Sequence, residues 1–324
     1  MVGCVIVAES AILAEGWHEK FGGPHAEVNA ISQLPAEVNL STATVFVTLE
    51  PCSHFGKTPP CVDLLISKRP ARVVVAMKDP NPLVAGRGIE RLRSAGINVE
   101  VGLCHAAARE LNKYFVTYHE LQRPYITLKW AMTADGFISQ LPLPESKGDN
   151  RISCLESLRQ THQLRAEHMA ILVGRPTVEA DDPLLTTRLV DGPNPLPLII
   201  DRYKQLTQRY RLTSGAIPAV VYNEEISETK GATAWVKLMK DQDFLDQVMA
   251  DLHQRKIHSL LVEGGAQLLE KMITSGKWDE MVVFVNPGLK FGKGVAAPKV
   301  QLPERGEISG SDYLFRIKNN TAVA

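Results

Sequence analysis

The sequence predicts two consecutive α/β domains. Three observations carry this. The chain has 324 residues, more than one small hydrophobic core usually organises. Short β-rich runs alternate with helical stretches in two successive series. Between the series, Arg123-Pro124 breaks a helical pattern, because proline cannot continue it. The boundary is placed there, giving domains 1–122 and 123–324.

In the first series, residues 2–7 read as a strand, 25–33 as a helix, 45–48 as a strand, 61–68 as a helix and 72–76 as a strand. Residues 84–95 form a predicted helix ended by Gly96, followed by a strand at 99–101 and one helical stretch over 106–121. The second series opens with a strand at 125–131. It continues with a helix at 155–166, strands at 171–174, 196–201 and 219–222, a helix at 244–255, a strand at 259–262, a helix at 266–275 and a strand at 281–285. Residues 141–150, with two prolines and a glycine, read as an inserted loop. No internal repeat or low-complexity tract interrupts the pattern.

Composition narrows the function. Hydrophobic residues make up 44% and charged residues 22%, the balance of a globular chain that folds without a partner. Basic and acidic residues number 36 each, so no global positive field exists to hold nucleic acid. No apolar run approaches membrane-spanning length and residues 1–9 lack a signal peptide's order, which predicts a cytoplasmic protein without membrane contact. Five cysteines, an odd number spread along the chain, do not form a disulfide framework. Cys4, Cys104 and Cys154 read as packing or surface, and only Cys52 and Cys61 lie in a chemically suggestive context.

His25-Ala26-Glu27 opens a predicted helix after Gly22-Gly23-Pro24, and Pro51-Cys52 follows a predicted strand. His-x-Glu, then Pro-Cys, then a second cysteine is the signature of zinc deaminases. One imidazole and two thiolates supply three ligands to one zinc ion per chain and leave the fourth tetrahedral position for water. Glu27, in the same helical turn as His25, stands beside the metal as a proton carrier between water and a leaving amine. Taken singly, His-x-Glu is ordinary surface helix and two separated cysteines are unremarkable. A structural zinc remains the alternative; it would need a fourth protein ligand, for which His54 is the nearby candidate.

Three segments resemble the pyrimidine deaminase domain of the bifunctional deaminase/reductases of riboflavin biosynthesis. They are Met1-Val2-Gly3-Cys4-Val5-Ile6-Val7, Gly22-Gly23-Pro24-His25-Ala26-Glu27-Val28-Asn29-Ala30 and the run from Leu49-Glu50-Pro51-Cys52 through Lys57-Thr58-Pro59-Pro60-Cys61. Eight residues separate the two thiols here, against the usual two in cytidine and adenine deaminases. The resemblance implies that this longer loop helps hold a ribose-phosphate substrate. It makes Lys57 and Thr58 candidate contacts, with His18, Asp79 and Asn81 as further site residues. From local sequence alone, Lys57 reads equally as a solvated lysine, Asp79-Pro80-Asn81-Pro82 as a turn and His18 as surface.

In the second domain, Gly174-Arg175-Pro176-Thr177 and Val262-Glu263-Gly264-Gly265 each join a strand to a helix. A glycine pair in such a turn lets backbone amides approach a phosphate. A plain tight turn is the competing reading, and the Rossmann glycine fingerprint is absent. Together with the run Leu128-Lys129-Trp130-Ala131-Met132-Thr133-Ala134-Asp135-Gly136 and with Leu164-Arg165-Ala166-Glu167, these segments resemble the family's reductase domain.

The resemblance implies a cytidine-deaminase-like three-layer domain followed by a dihydrofolate-reductase-like domain. It implicates Ala131, Thr177, Asp181 and the run Gly265, Ala266, Gln267, Leu268, Leu269, Glu270 and Lys271 in binding NADPH. Arg165, Leu185, Arg188 and Glu263 fall at the substrate, where guanidinium groups suit a phosphate. Asp181 and Glu263 read as binding residues with no assigned proton transfer. The implied chemistry is deamination of 2,5-diamino-6-ribosylamino-4(3H)-pyrimidinone 5′-phosphate, then NADPH-dependent reduction of the ribosyl chain to ribityl.

Two departures from the family pattern stand out. Where many relatives carry a Gly-x-Ser-x-Trp-Ile stretch this chain has Gly148-Asp149-Asn150-Arg151-Ile152-Ser153, without the expected Ser and Trp, and the sequence begins at a methionine that is interior in the family motif. The second implies a missing first helix and site asparagine, and with them a weakened deaminase. The alternative is therefore a chain active as a reductase only. A nucleic-acid-editing deaminase is opposed by the neutral charge, the long inter-cysteine loop and the second domain. A homo-oligomer is left open.

Overall fold

The computed structural model describes residues 1–20, 22–35, 38–55, 59–82, 84–142 and 151–319. The chain divides into two compact units, Met1–Gln122 and Arg123–Ala324.

Unit 1 is built from β1 (Gly3–Ala8), β2 (Ala11–Trp17), α1 (Ala26–Ile31), β3 (Thr44–Val47), α2 (Cys61–Lys68), β4 (Arg72–Val75), α3 (Arg87–Ser94), β5 (Asn98–Val101), α4 (His105–Leu111) and α5 (Lys113–Leu121). The sheet order is β2-β1-β3-β4-β5, with β1 antiparallel to both neighbours and β3, β4 and β5 parallel. Alternate residues Cys4 and Ile6, Val45 and Val47, and Val73 and Val75 enter one core with Ala26 and Ala30 of α1, Leu65 of α2 and Leu92 of α3. A smaller cluster joins Ala76 and Met77 to Ala108 of α4 and Val116 of α5.

Strand β2 was not expected from the sequence. It pairs with β1 through Glu9 and Ser10, both at positive φ (50° and 65°), a two-residue hairpin turn lacking its usual Asn-Gly signal. Its buried positions are the small Ala14 and Gly16, while Ile12, Leu13 and Trp17 are exposed, so hydrophobic alternation gives no cue. Gly16 has a steric role. A Cβ there would lie 2.4 Å from the Ala30 nitrogen and 2.6 Å from the Ala26 oxygen, so only glycine lets α1 rest directly on β2. Asn29 Nδ2 and Gln33 Nε2 then donate to the carbonyls of Trp17 and Glu15, at 2.7 and 2.6 Å.

Two helices differ from expectation. The helix predicted from residue 84 begins at Arg87, since Gly86 sits at φ 82° immediately before it. The single helix predicted over 106–121 is two, parted at Asn112, whose side-chain amide turns back to the Ala108 carbonyl.

Unit 2 contains β6 (Tyr125–Thr133), β7 (Phe137–Gln140), α6 (Leu155–Glu167), β8 (Ala170–Gly174), α7 (Arg175–Asp181), β9 (Leu196–Ile200), β10 (Ala219–Asn223), β11 (Glu228–Lys230) and β12 (Thr233–Lys237). It continues with α8 (Phe244–Gln254), β13 (Ser259–Glu263), α9 (Ala266–Thr274), β14 (Glu280–Asn286), β15 (Gly294–Ala296), β16 (Glu307–Ser309) and β17 (Asp312–Lys318). Ten strands run in the order β11-β12-β10-β9-β8-β13-β6-β14-β17-β16, and β7 pairs with β15. The inner strands from β12 to β14 are mutually parallel, and both edges are antiparallel.

Both faces of the parallel part are covered. Ile126, Leu128, Leu172, Leu260 and Val262 enter one core, and Ile171, Val173, Leu261 and Val282 the other. That double burial is why these strands were legible as continuous apolar runs. The edge elements β11, β15 and β16, of three residues each, are too short to show a period. Where the unit begins, Arg123 makes a two-pronged ion pair with Asp279 at 2.6 and 2.9 Å. Asp279 also accepts from the Ile126 amide, locking β6 beside β14. Among the described residues, no helix is long and apolar enough to cross a membrane. The loop predicted at 141–150 lies almost wholly outside the described residues.

Gly16→Ala should destabilise unit 1 by roughly 1–3 kcal/mol, because the added methyl meets backbone that cannot move aside. Denaturant unfolding should show a loss in the unit 1 transition and none in unit 2. An unchanged unit 1 would contradict this account of how α1 is seated.

Candidate metal centre and reductase site

His25 caps α1 in an extended conformation (φ −74°, ψ 165°), so its ring stands off the helix start while Glu27 falls in the first turn. Cys52 follows the turn after β3, and Cys61 is the first residue of α2. His25 Nδ1 lies 3.5 Å from the Cys52 sulfur and 3.3 Å from the Cys61 sulfur, and the Cys61 amide donates to the Cys52 sulfur at 3.2 Å. Zinc bonds of about 2.0–2.1 Å to nitrogen and about 2.3 Å to sulfur put a tetrahedral N···S edge at about 3.5 Å. The observed spacings therefore fit a shared zinc ion. Among the described residues this is the one such group with ligand atoms within 4.8 Å of each other. His54 is exposed and outside it, so these residues supply three protein ligands and no fourth.

Between the two sulfurs, a hydrogen bond pulls the Cys52 thiol down to about 5 and pushes that of Cys61 up, with burial adding to the rise. A bound cation would hold both as thiolates. Glu27 is 3% exposed, and burial raises its carboxyl above the usual range.

His18 sits edge-on to His25, ring centres 5.6 Å apart, and its buried Nε2 has no hydrogen-bond partner among the described residues. An orphaned nitrogen there is available to a ligand. Asp79 is half-buried, its carboxyl raised by burial, and it accepts from the Asn81 amide at 2.8 Å. The Asp79 amide is bound in turn by Glu50, two residues before Cys52, which draws this segment to the metal-ligand turn. Lys57 and Thr58 lie outside the described residues.

In unit 2, Glu263 ends β13 directly opposite Lys129 of β6, on one face of the sheet. Arg165, late in α6, grips the Glu263 carboxylate with two hydrogen bonds of 2.8 and 2.7 Å and donates a third to the Thr186 carbonyl. That third bond ties it to the segment carrying Leu185 and Arg188. Leu185 is buried at φ 55°, a strained value for a bulky residue, and strain of this kind concentrates at binding loops. The Arg188 amide donates to His162 Nδ1 at 2.9 Å, and the Arg188 side chain is exposed. Arg165, Leu185, Arg188 and Glu263 thus form one constellation.

Its electrostatics are interlocked. Burial works against the charge on Glu263, but Arg165 and Lys129 hold its carboxyl below the usual range. Burial pulls Lys129 down despite the pull of Glu263, and burial with Arg165 and Arg188 takes His162 down to about 4. Lys129 and His162 were not singled out in the sequence, though each left a trace. Lys129 is a cation in an otherwise uncharged buried strand, and His162 lies one helical turn before Arg165.

Of the candidate cofactor residues, Thr177, Gly264 and Gly265 meet at the ends of β8 and β13. Gly264 and Gly265 have φ of 90° and 73°, and a Cβ on either would lie 3.3–3.5 Å from the Thr177 side chain of α7. Gly265 caps α9, so Ala266, Gln267 and Leu268 present first-turn amides that have no partner within the helix. Leu269 is fully buried in the core, and Glu270 and Lys271 are exposed beyond that turn. Ala131 is half-buried on β6, and Asp181 is exposed at the end of α7. Positions 148–150 lie outside the described residues; of their neighbours, Ile152 is buried, and its carbonyl accepts from Asn286.

Comparison with known proteins finds relatives for both units. Residues 1–77 match the cytidine and deoxycytidylate deaminase zinc-binding region, and residues 124–302 match the RibD C-terminal domain. The riboflavin biosynthesis protein RibD of Aquifex aeolicus is 42% identical over 301 residues, covering 91% of this chain and 82% of its own length. That of Escherichia coli is 38% identical over 306 residues, covering 89% and 82%. Among solved structures, Acinetobacter baumannii RibD superposes with a TM-score of 0.85 at 31% identity, over 98% of this chain and 91% of that one. A Thermotoga maritima diaminohydroxyphosphoribosylaminopyrimidine deaminase/5-amino-6-(5-phosphoribosylamino)uracil reductase gives 0.84 at 35% identity with the same coverage.

The depressed His162 has a pH signature. Unfolded, its pKa returns to about 6.5, so between about pH 6.5 and 4 the unfolded chain binds a proton that the folded one refuses. Unit 2 should therefore lose stability as pH falls through that window. His162→Asn, which keeps an acceptor near the Arg188 amide, should lose less. Equal losses in melts at pH 7 and pH 5 would show that His162 is not held neutral.

Proposed function

The chain belongs to the RibD family of riboflavin-biosynthesis proteins and so joins a deaminase to a reductase, and from that premise we propose which residues perform each reaction. Deamination is assigned to residues 1–122 and reduction to residues 123–324. The deaminase substrate is 2,5-diamino-6-ribosylamino-4(3H)-pyrimidinone 5′-phosphate, the compound class in the name of the Thermotoga relative. The observation that carries this reading is the convergence of His25, Cys52 and Cys61 beside buried Glu27.

His25, Cys52 and Cys61 would hold one zinc ion, which when bound supplies the Lewis acidity that makes water a nucleophile at neutral pH. Glu27 moves the proton. Its raised pKa suits a carboxyl that takes a proton from water and hands it to the departing amino group, so that water is consumed and ammonia released. The orphaned Nε2 of His18 hydrogen-bonds the substrate, Asp79 and Asn81 add further contacts, and Lys57 and Thr58 help hold its ribose phosphate.

NADPH, the hydride donor, would lie along the Gly264-Gly265 turn, its phosphates at the first-turn amides of α9, with Ala131, Thr177 and Asp181 completing the site. The run from Leu269 to Lys271 lies further along the helix and contributes less directly. The exposed guanidinium of Arg188 binds the phosphate of the deaminated pyrimidine. The Arg165–Glu263 pair and Leu185 orient its sugar, placing C1′ for reduction of ribosyl to ribityl. Five unpaired cysteines suit a reducing, cytoplasmic setting.

The test is incubation of the zinc-loaded chain with this substrate, with and without NADPH. Ammonia release should need no NADPH, and the ribityl product should require it. Glu27→Gln should keep its zinc, lose ammonia release by roughly 10²–10⁴-fold, and still reduce the deaminated intermediate. Near-normal ammonia release by this variant would remove Glu27 from its assigned role.

A further inference from the structure

Glu50 is 3% exposed, forms no ion pair among the described residues, and accepts four backbone hydrogen bonds. Oε2 takes the amides of Asp79 (3.1 Å) and Gly86 (2.9 Å), and Oε1 those of Gly88 (2.9 Å) and Ile89 (3.2 Å). Its own amide donates to the Met77 carbonyl at 3.0 Å. Helix α3 has no side-chain cap of its own, and Gly88 and Ile89 are in its first turn, so Glu50 satisfies donors the helix leaves open. The approach is close: a Cβ on Gly88 would lie 2.2 Å from the Pro51 carbonyl.

We propose that Glu50 is a positioning residue for deamination, fixing the turn that carries Cys52 against the segment that carries Asp79 and Asn81. The proposal rests on the deaminase reading given above. A bonded path runs from Cys52 through the rigid Pro51 to the Glu50 carboxylate, then to the Asp79 amide, and from the Asp79 carboxylate to the Asn81 amide. Metal ligand and substrate segment therefore share one anchor. The anchor must be a carboxylate of this length. Glutamine offers one acceptor oxygen, and its NH₂ would confront two N–H donors. Aspartate keeps both acceptors but draws them back by one methylene.

The test compares zinc-loaded wild type, Glu50→Gln and Glu50→Asp, all in the full chain. Three quantities are measured: the rate of zinc release to a chelator, the KM and kcat of ammonia release, and reduction of the deaminated intermediate. Glu50→Gln should release zinc and raise KM by about tenfold or more, the equivalent of losing one charge-assisted hydrogen bond. Glu50→Asp should fall between it and wild type, and reduction should be unchanged in all three. A purely structural Glu50 would lower the melting temperature of unit 1 while zinc release and KM stayed at wild-type values, and that result overturns the proposal. If Glu50→Gln does not fold in unit 1, Glu50→Asp decides alone: intermediate values support the proposal and wild-type values overturn it. A wild-type chain that binds zinc but releases no ammonia would refute the deaminase reading instead, while the zinc-release comparison still decides whether Glu50 holds the Cys52 turn.

Discussion

A carboxylate taken out of water must be given donors or cations, or else it takes up a proton. Three buried glutamates meet that constraint in three ways, and much of the two sites is arranged around them. Glu50 is surrounded by backbone amides, which forces α3 and the segment before it against the Cys52 turn. Glu263 is given Arg165 and Lys129, which forces the end of α6 onto the ends of β6 and β13. Glu27 is compensated only in part, so burial raises its carboxyl above the usual range, which suits the proton-carrying role proposed for it. The first two arrangements hold structure in place, and the third is the one the proposed chemistry uses.

Placement follows from strand direction. In both units the functional groups gather where parallel strands end. Cys52 lies past β3, Gly174 closes β8, and Glu263 with its glycine pair closes β13. Open α/β sheets leave helix N-termini and loop backbone converging at that edge, so ligands bind there. The unit 1 site adds α1, which can lie against β2 only because Gly16 removes a side chain from the contact. His25 and Glu27 are both carried on that helix start. A glycine in a surface hairpin thereby helps set the position of the residues proposed as metal ligand and proton carrier.

The sequence made some of this legible and hid the rest, for physical reasons. The buried parallel strands announced themselves because both faces demand apolar residues. The metal group was legible because its chemistry permits few residue types and the spacing is distinctive. Strand β2 was not, since its turn is Glu-Ser and its buried side is Ala and Gly. The split at Asn112 depends on a side-chain amide turning back on its own helix, which a hydrophobic period does not register. The task of Glu50 is invisible in its motif, because its partners are backbone amides remote in sequence, at Asp79 and from Gly86 to Ile89. Lys129 and His162 were hidden in the same way. Their importance lies in which charges the sheet register and the α6 packing bring beside them, and only the folded chain specifies that.

The central claim is that three protein ligands, and no fourth, hold the metal. X-ray absorption of the zinc-loaded chain tests it most directly. The account predicts one zinc per chain with two sulfurs at about 2.3 Å, one imidazole nitrogen at about 2.0 Å and one further light atom from solvent. A fourth protein ligand, seen as a third sulfur or a second imidazole, would make the site structural and contradict the account.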